Sequence, residues 1–248
     1  WNGGIGTFVK AADERHAEGG DRANDAIRVN GRDLRCRVVG EGGNLGFTQL
    51  GRVEYALNGG LLNTDAIDNS AGVDTSDREV NIKILLDRVV RSGGLTGRRR
   101  NTLVARMADE VVAQVLADNA DQNIALANNA SQSAALLHVH ERVMGTLEAT
   151  GRLDREVERL PSAKGIAERR QAGLGLCVPE LAVLLAYTKI VLYDALLASD
   201  LPEESFFQHA LHEYFPAPLR RRYADAIADH PLRREIIATQ IANRLVNR

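Results

Sequence analysis

Leu34-Arg35-Cys36-Arg37-Val38-Val39-Gly40-Glu41-Gly42-Gly43-Asn44 reads as a short strand, Leu34–Val39, that runs straight into a glycine turn. Working outward, a helix is predicted from about Thr48 to Asn58, stopped by the C-cap signal Gly59-Gly60. A second strand is predicted over Leu61–Ile67, ending in the polar turn Asp68-Asn69-Ser70. Strand, glycine turn, helix and strand in that order make a βαβ unit of a parallel sheet. A further helix is predicted from about Ser76. There Ile82, Leu85, Leu86, Val89 and Val90 share one face at i, i+3, i+4, i+7, i+8 spacing.

Glycine pairs punctuate the first 97 residues and then thin out, so a boundary is predicted near Ser92–Thr96. The fold class expected is α/β: a partial Rossmann-like parallel sheet over residues 1–95, then an all-α region over 96–248. In the second region Val104, Met107, Val111 and Val115 form one apolar stripe. A helix is predicted over Ser131–Thr150, broken at Gly151, and another over Glu180–Ala198 with Pro179 at its first position. Pro202, Pro218 and Pro231 each precede a periodic stretch, and the last helix carries Ile237, Ile241 and Leu245.

The chain has 248 residues, 31 Lys+Arg against 33 Asp+Glu, and a formal net charge of −2. That balance argues against broad nucleic-acid or anionic-membrane binding. Its two cysteines, Cys36 and Cys177, build neither a disulfide framework nor a paired metal site. A reducing, cytoplasmic setting is expected. No apolar run approaches the length of a membrane span, and no secretory signal opens the sequence. The start at Trp1 in a glycine-rich run leads us to expect a piece of a longer chain.

Two segments can carry chemistry. Gly40-Glu41-Gly42-Gly43-Asn44 follows a strand, where glycines let a ligand touch backbone and Asn44 offers donor and acceptor. On the residues alone a plain tight turn, with Asn44 in the left-handed region it tolerates well, is the simpler reading. Asp68 to Ser76 also leads into a helix start, which suits a carboxylate or phosphate. Against that, Ser76-Asp77-Arg78-Glu79 is a capping box, so Ser76 can serve only as a cap. Gly3-Gly4-Ile5-Gly6 is not a strand-led GxGxxG and is weak as a phosphate loop. His209 and His212 lack a third ligand, so no metal is expected. Lys10 lacks a carboxylate partner, Arg98-Arg99-Arg100 suits a solvated helix start, and Cys36 suits packing.

These segments together resemble a family. Val38 to Asn44 is similar to the E-G-A-N turn of glutamate dehydrogenases. Asp65 followed by Asn69-Ser70-Ala71-Gly72-Val73, Ser76 and Glu79 is similar to that family's P-D…N-A-G-G-V-x-x-S-Y-x-E segment. Trp1 to Thr7, Asp21-Arg22-Ala23-Asn24-Asp25, and Pro179 to Lys189 resemble the large bacterial NAD-specific members, so the likeness covers nearly the whole chain. This sequence departs from the commoner pattern at Gly43, Ser70, Ala71 and Asp77.

The resemblance implies oxidative deamination of L-glutamate to 2-oxoglutarate and ammonia, with NAD as hydride acceptor. It implies cofactor contacts at Gly3, Gly4, Gly40, Glu41, Gly42, Asn44 and Asn69, with Asn44 at the nicotinamide ribose. It implies substrate contacts at Asn69, Val73 and Ser76, with the serine hydroxyl near the side-chain carboxylate. The catalytic lysine and aspartate of the family come earlier in the chain, so no catalytic residue is expected here and the segment alone is expected to be inactive. As the full-length chain it is expected to form a homo-oligomer. Two rivals stand beside this reading: an amino-acid dehydrogenase with an apolar substrate, and a non-catalytic helical interaction module.

Overall fold

The computed structural model describes residues 6–247. The chain is mostly helical with a small two-stranded parallel sheet, and it divides into two compact units. One unit comprises Trp1–Ser70 and Gln122–Tyr187; the other comprises Ala71–Asp121 and Thr188–Arg248.

In the first unit, β1 (Val9–Lys10) pairs in parallel with β2 (Val29–Asn30), in the register Val9↔Val29 and Lys10↔Asn30. Two further parallel bridges join Val9 to Phe47 and Val38 to Leu61. Around them Val9, Val39, Phe47, Tyr55 and Leu62 form a small apolar core. Buried Arg28 ties the loops beside it: its Nε donates to the Thr7 carbonyl at 2.8 Å and its Nη1 to Asp25 at 2.5 Å.

The helix α1 (Gln49–Leu57) matches the expectation within a residue. Thr48 caps it by accepting from the Gly51 N–H. It stops as predicted: Gly59 takes φ +88°, and the Gly60 N–H returns to the Tyr55 carbonyl at 3.0 Å. Gly60 also has no room for a side chain, because a Cβ there would lie 2.3 Å from the Tyr55 ring.

The two predicted strands contract. Leu34–Val39 and Leu61–Ile67 meet only at the Val38–Leu61 bridge, with Val39 N–H donating to Leu61 and Leu61 N–H donating to Arg37. After Leu62 the chain coils into the short helix α2 (Asp65–Asp68), whose Ile67 and Asp68 N–H groups both return to the Thr64 carbonyl. Helical closure there removes the backbone groups a longer ladder needs. Next come α3 (Ser70–Arg91) and α4 (Gly97–Gln132), and the division between the units falls inside α4.

The helix predicted over Ser131–Thr150 is two elements, because α4 ends at Gln132 and α5 (Leu137–Ala149) starts after a turn. The buried Ser133 hydroxyl in that turn donates to the Leu176 carbonyl at 2.7 Å. The opposing backbone comes so close that a Cβ on Gly175 would sit 2.3 Å from the Ser133 carbonyl carbon. The break at Gly151 is as predicted, with φ +68°. The first unit also contains α6 (Ala163–Gln171) and the opening of α7 (Val178–Leu197), whose second residue is Pro179.

The second unit is helical. Its core gathers Ile82, Leu85 and Leu86 of α3, Met107 of α4, and Leu196 of α7. Added to these are residues of α8 (Gln208–Tyr214), α9 (Ala217–Arg222), α10 (Ala224–Ala228) and α11 (Arg233–Val246). Ile82, Leu85 and Leu86 are the stripe that the spacing predicts. Pro218 is the second residue of α9, and Pro202 sits in a single 3-10 turn. Among the described residues no helix is long and apolar enough to cross a membrane.

Candidate functional site

The glycine turn is held at both ends by carboxylates. Glu41 is buried, and its two oxygens accept from Arg52 of α1, at 2.6 Å from Nε and 2.9 Å from Nη2. Its Oε1 also accepts the Phe47 N–H at 3.2 Å, which closes the loop on itself. Burial pushes the Glu41 carboxyl up, and the Arg52 guanidinium pulls the other way. Arg52 reaches Asp65 as well, at 3.2 Å. Asp68 accepts the Glu41 N–H at 2.8 Å, and Asp65 accepts the Leu45 N–H at 2.7 Å. Leu45 itself takes φ +61°, beyond Gly42-Gly43-Asn44 at the loop's apex.

These bonds bring the apex to the second turn. The Asn69 Nδ2 donates to the Asn44 Oδ1 at 3.4 Å across 25 positions of sequence. Asn69 follows the last residue of α2, and its N–H donates to the Asp65 carbonyl at 2.8 Å. Asp65 therefore organises both loops. Gly42 and Asn44 are exposed, whereas Glu41 is buried and accepts three hydrogen bonds from Arg52 and the Phe47 N–H. Beside the roots of the loops lies a cavity of about 740 Å³, lined in part by Val39, Gly40, Asn63, Asp68, Asn123 and Cys177. Asn63 spans it, donating to Asp68 at 2.8 Å and to Asn123 at 2.9 Å. Burial, with Glu180 beside it, pushes the Cys177 thiol up.

Gly3 and Gly4 lie outside the described residues. Val73 and Ser76 belong to the second unit, both exposed on α3. The capping-box reading of Ser76 is corrected: α3 starts at Ser70, so Ser76 lies inside it and its hydroxyl donates to the Gly72 carbonyl at 3.3 Å. The helix starts early because α2 ends at Asp68 and only Asn69 separates the two. A residue within the second turn has no free N–H groups to cap.

Lys10 ends β1, buried, donating to the Asn30 side chain at 2.8 Å and the Ala11 carbonyl at 2.9 Å. His209 bonds the Phe206 carbonyl and approaches Arg244 at 3.5 Å. Among the described residues no group of three or more His, Cys, Asp or Glu could hold a metal. The sequence reading missed Arg52 and Asp68 as organisers, since a single Arg on an amphipathic helix looks like a solvated one. The signal was faint: Glu41 is a charge inside a glycine run, and Arg52 stands between Gly51 and Val53.

Residues 1–129 match the family described as bacterial NAD-glutamate dehydrogenase, catalytic domain. The chain belongs to this family. Residues 173–248 match glutamate dehydrogenase, C-terminal. Among bacterial relatives, the NAD-specific glutamate dehydrogenase of Pseudomonas aeruginosa is 52% identical over 247 residues. Those of Mycobacterium tuberculosis and Halomonas elongata are each 51% identical over the same length. Each comparison covers 100% of this chain and 15% of the relative, so the chain spans about 15% of the length of the glutamate dehydrogenases it matches. The glycine turn, α2 and the start of α3 fall within the catalytic-domain match.

Proposed function

We propose that this chain works as part of an NAD-dependent glutamate dehydrogenase, which converts L-glutamate and water to 2-oxoglutarate and ammonia. The observation that carries the reading is the Asn44–Asn69 bond, which joins the segments beyond the two ends of the parallel Val38–Leu61 bridge, the glycine turn on one side and the end of α2 on the other. Ligands of open parallel sheets gather at such strand ends. Residues 1–95 are the carboxyl-terminal half of a Rossmann-like domain, and residues 96–248 are a helical C-terminal region.

The donor set fits NAD. The bond between the two amides leaves the Asn44 Nδ2 and the Asn69 Oδ1 for a ligand, with the exposed Gly42 backbone alongside. Asn44 holds the ribose and Asn69 orients the nicotinamide end. Glu41, with Arg52, holds the loop's shape and does not touch the cofactor. NAD held there would supply the hydride acceptor. Gly40 supplies close backbone approach. Val73 and Ser76 hold the substrate's side chain, with the serine hydroxyl near its carboxylate. The lysine and aspartate that move protons belong to other parts of the polypeptide. The full-length enzyme is cytoplasmic and homo-oligomeric, with no nucleic-acid or membrane partner.

NADH binding followed by nucleotide fluorescence in the full-length dehydrogenase tests this. Asn44→Ala and Asn69→Ala are each expected to raise Kd about tenfold, the loss of one good hydrogen bond to a bound ligand. Unchanged Kd in both variants removes the assignment.

A further inference from the structure

Residues 71–77, the stretch of α3 that carries Val73 and Ser76, contain no buried side chain. The first buried residue of α3 is Arg78, and the apolar core begins only at Ile82. Two turns of helix would fray without an anchor, since burial supplies most helical stability in proteins.

Ser70, the first residue of α3, accepts from the Gln122 side chain at 3.1 Å, and Arg78 anchors the exposed stretch between it and the core. Its Nε donates to both oxygens of Asp74 at 3.1 and 3.2 Å, one turn back along α3. Its Nη2 donates to Asp118 at 2.6 Å and its Nη1 to Gln114 at 2.9 Å, both on α4. Nη1 also donates to the Tyr214 carbonyl at the end of α8, at 3.0 Å, and the guanidinium stacks 4.7 Å from the Tyr214 ring centroid. One planar cation thus joins three helices of the unit. Burial, and Asp118 as a neighbouring carboxylate, push the Asp74 carboxyl up, and Arg78 draws it down. Asp74 and Arg78 lie four residues apart on one face, and Val73 and Ser76 point away from it, exposed.

We propose that Arg78 is a positioning residue for the glutamate side chain: by fixing Asp74 against α4 and α8 it sets the rotation of α3 that aims Val73 and Ser76. This rests on the assignment of Val73 and Ser76 to the substrate. Lysine cannot replace it, because a point ammonium cannot meet Asp74, Asp118, Gln114 and a carbonyl in one plane.

The test is steady-state kinetics of the full-length dehydrogenase carrying Arg78→Lys, with Asp118→Asn as a milder break. Arg78→Lys is expected to raise KM for glutamate about tenfold, with KM for NAD unchanged and kcat within about twofold. Asp118→Asn is expected to move the same constant in the same direction by a smaller factor. Guanidinium ion is expected to restore KM in Arg78→Ala. Should KM for glutamate stay put in Arg78→Lys and Asp118→Asn while Ser76→Ala raises it, positioning by Arg78 is wrong and the substrate assignment stands. If Ser76→Ala leaves KM for glutamate unchanged, the substrate assignment itself falls. Equal losses in kcat and in both KM values after Arg78→Lys would make the residue a general support for the fold and overturn the proposal.

Discussion

Glu41 shows how one side chain shapes a loop. Its carboxylate lies against Arg52 with both groups nearly sealed from water, side chains 2% and 6% exposed. Removing one member of such a pair strands the other's charge, which costs about 3 kcal/mol or more. Asp65 remains at 3.2 Å from Arg52 and takes up part of that charge. We therefore expect Glu41→Ala to destabilise the chain by about 2–4 kcal/mol in urea unfolding. A change below about 0.5 kcal/mol, the range of ordinary surface substitutions, would show that the pair is not what closes the turn. The glutamate's place in the sequence was plain, but its partner was not: eleven positions separate them, and only folding brings an arginine of α1 under the loop.

At the scale of elements, the turn between α10 and α11 is governed by His230. It is fully buried, with Nε2 directed at the Asn81 carbonyl at 3.2 Å and Nδ1 accepting the Leu232 N–H at 3.1 Å. Those roles make the ring neutral, with its proton on Nε2. Burial lowers its pKa; the Asn81 carbonyl and Glu235 oppose this and Arg88 reinforces it. The sign follows from linkage. A depressed folded pKa leaves stability intact above the unfolded value near 6.5, and stability is lost as pH falls below it, because the unfolded chain takes up the proton first. The loss approaches about 1.4 kcal/mol per pH unit between the two pKa values. Urea midpoints at pH 7.5 and 5.5 are expected to separate more in the parent chain than in His230→Gln; equal separations would exclude the histidine. The helices themselves were readable because a 3.6-residue period is local: Ile82, Leu85 and Leu86 announced α3. Its start was not readable, since Ser76 makes a good cap in isolation and the earlier start at Ser70 follows from how α2 closes on Thr64.

For the whole molecule, the expectation is a chain that lacks part of its machinery. It spans about 15% of its relatives' length, and its buried Lys10 is committed to Asn30 and the Ala11 carbonyl. Purified alone, these 248 residues are expected to give no glutamate-dependent NADH, followed as absorbance of the reduced nicotinamide. Measurable turnover would mean that a complete proton-transfer set lies within them. Each compact unit draws on two separated stretches of chain, which no composition shift along the sequence announces.

The sequence by itself determined the helical periods, the glycine stops at Gly59 and Gly151, the order of turn, helix and turn, and the family. Each of these depends on residues close in the chain or on motif order. Tertiary structure alone decided that Arg52 lies under Glu41, that Asn69 meets Asn44, that Ser133 backs onto Leu176, and that Arg78 joins Asp74 to α4 and α8. The physical reason is separation. A buried charge is tolerable only where partners distant in sequence converge on it, and no local pattern encodes that convergence.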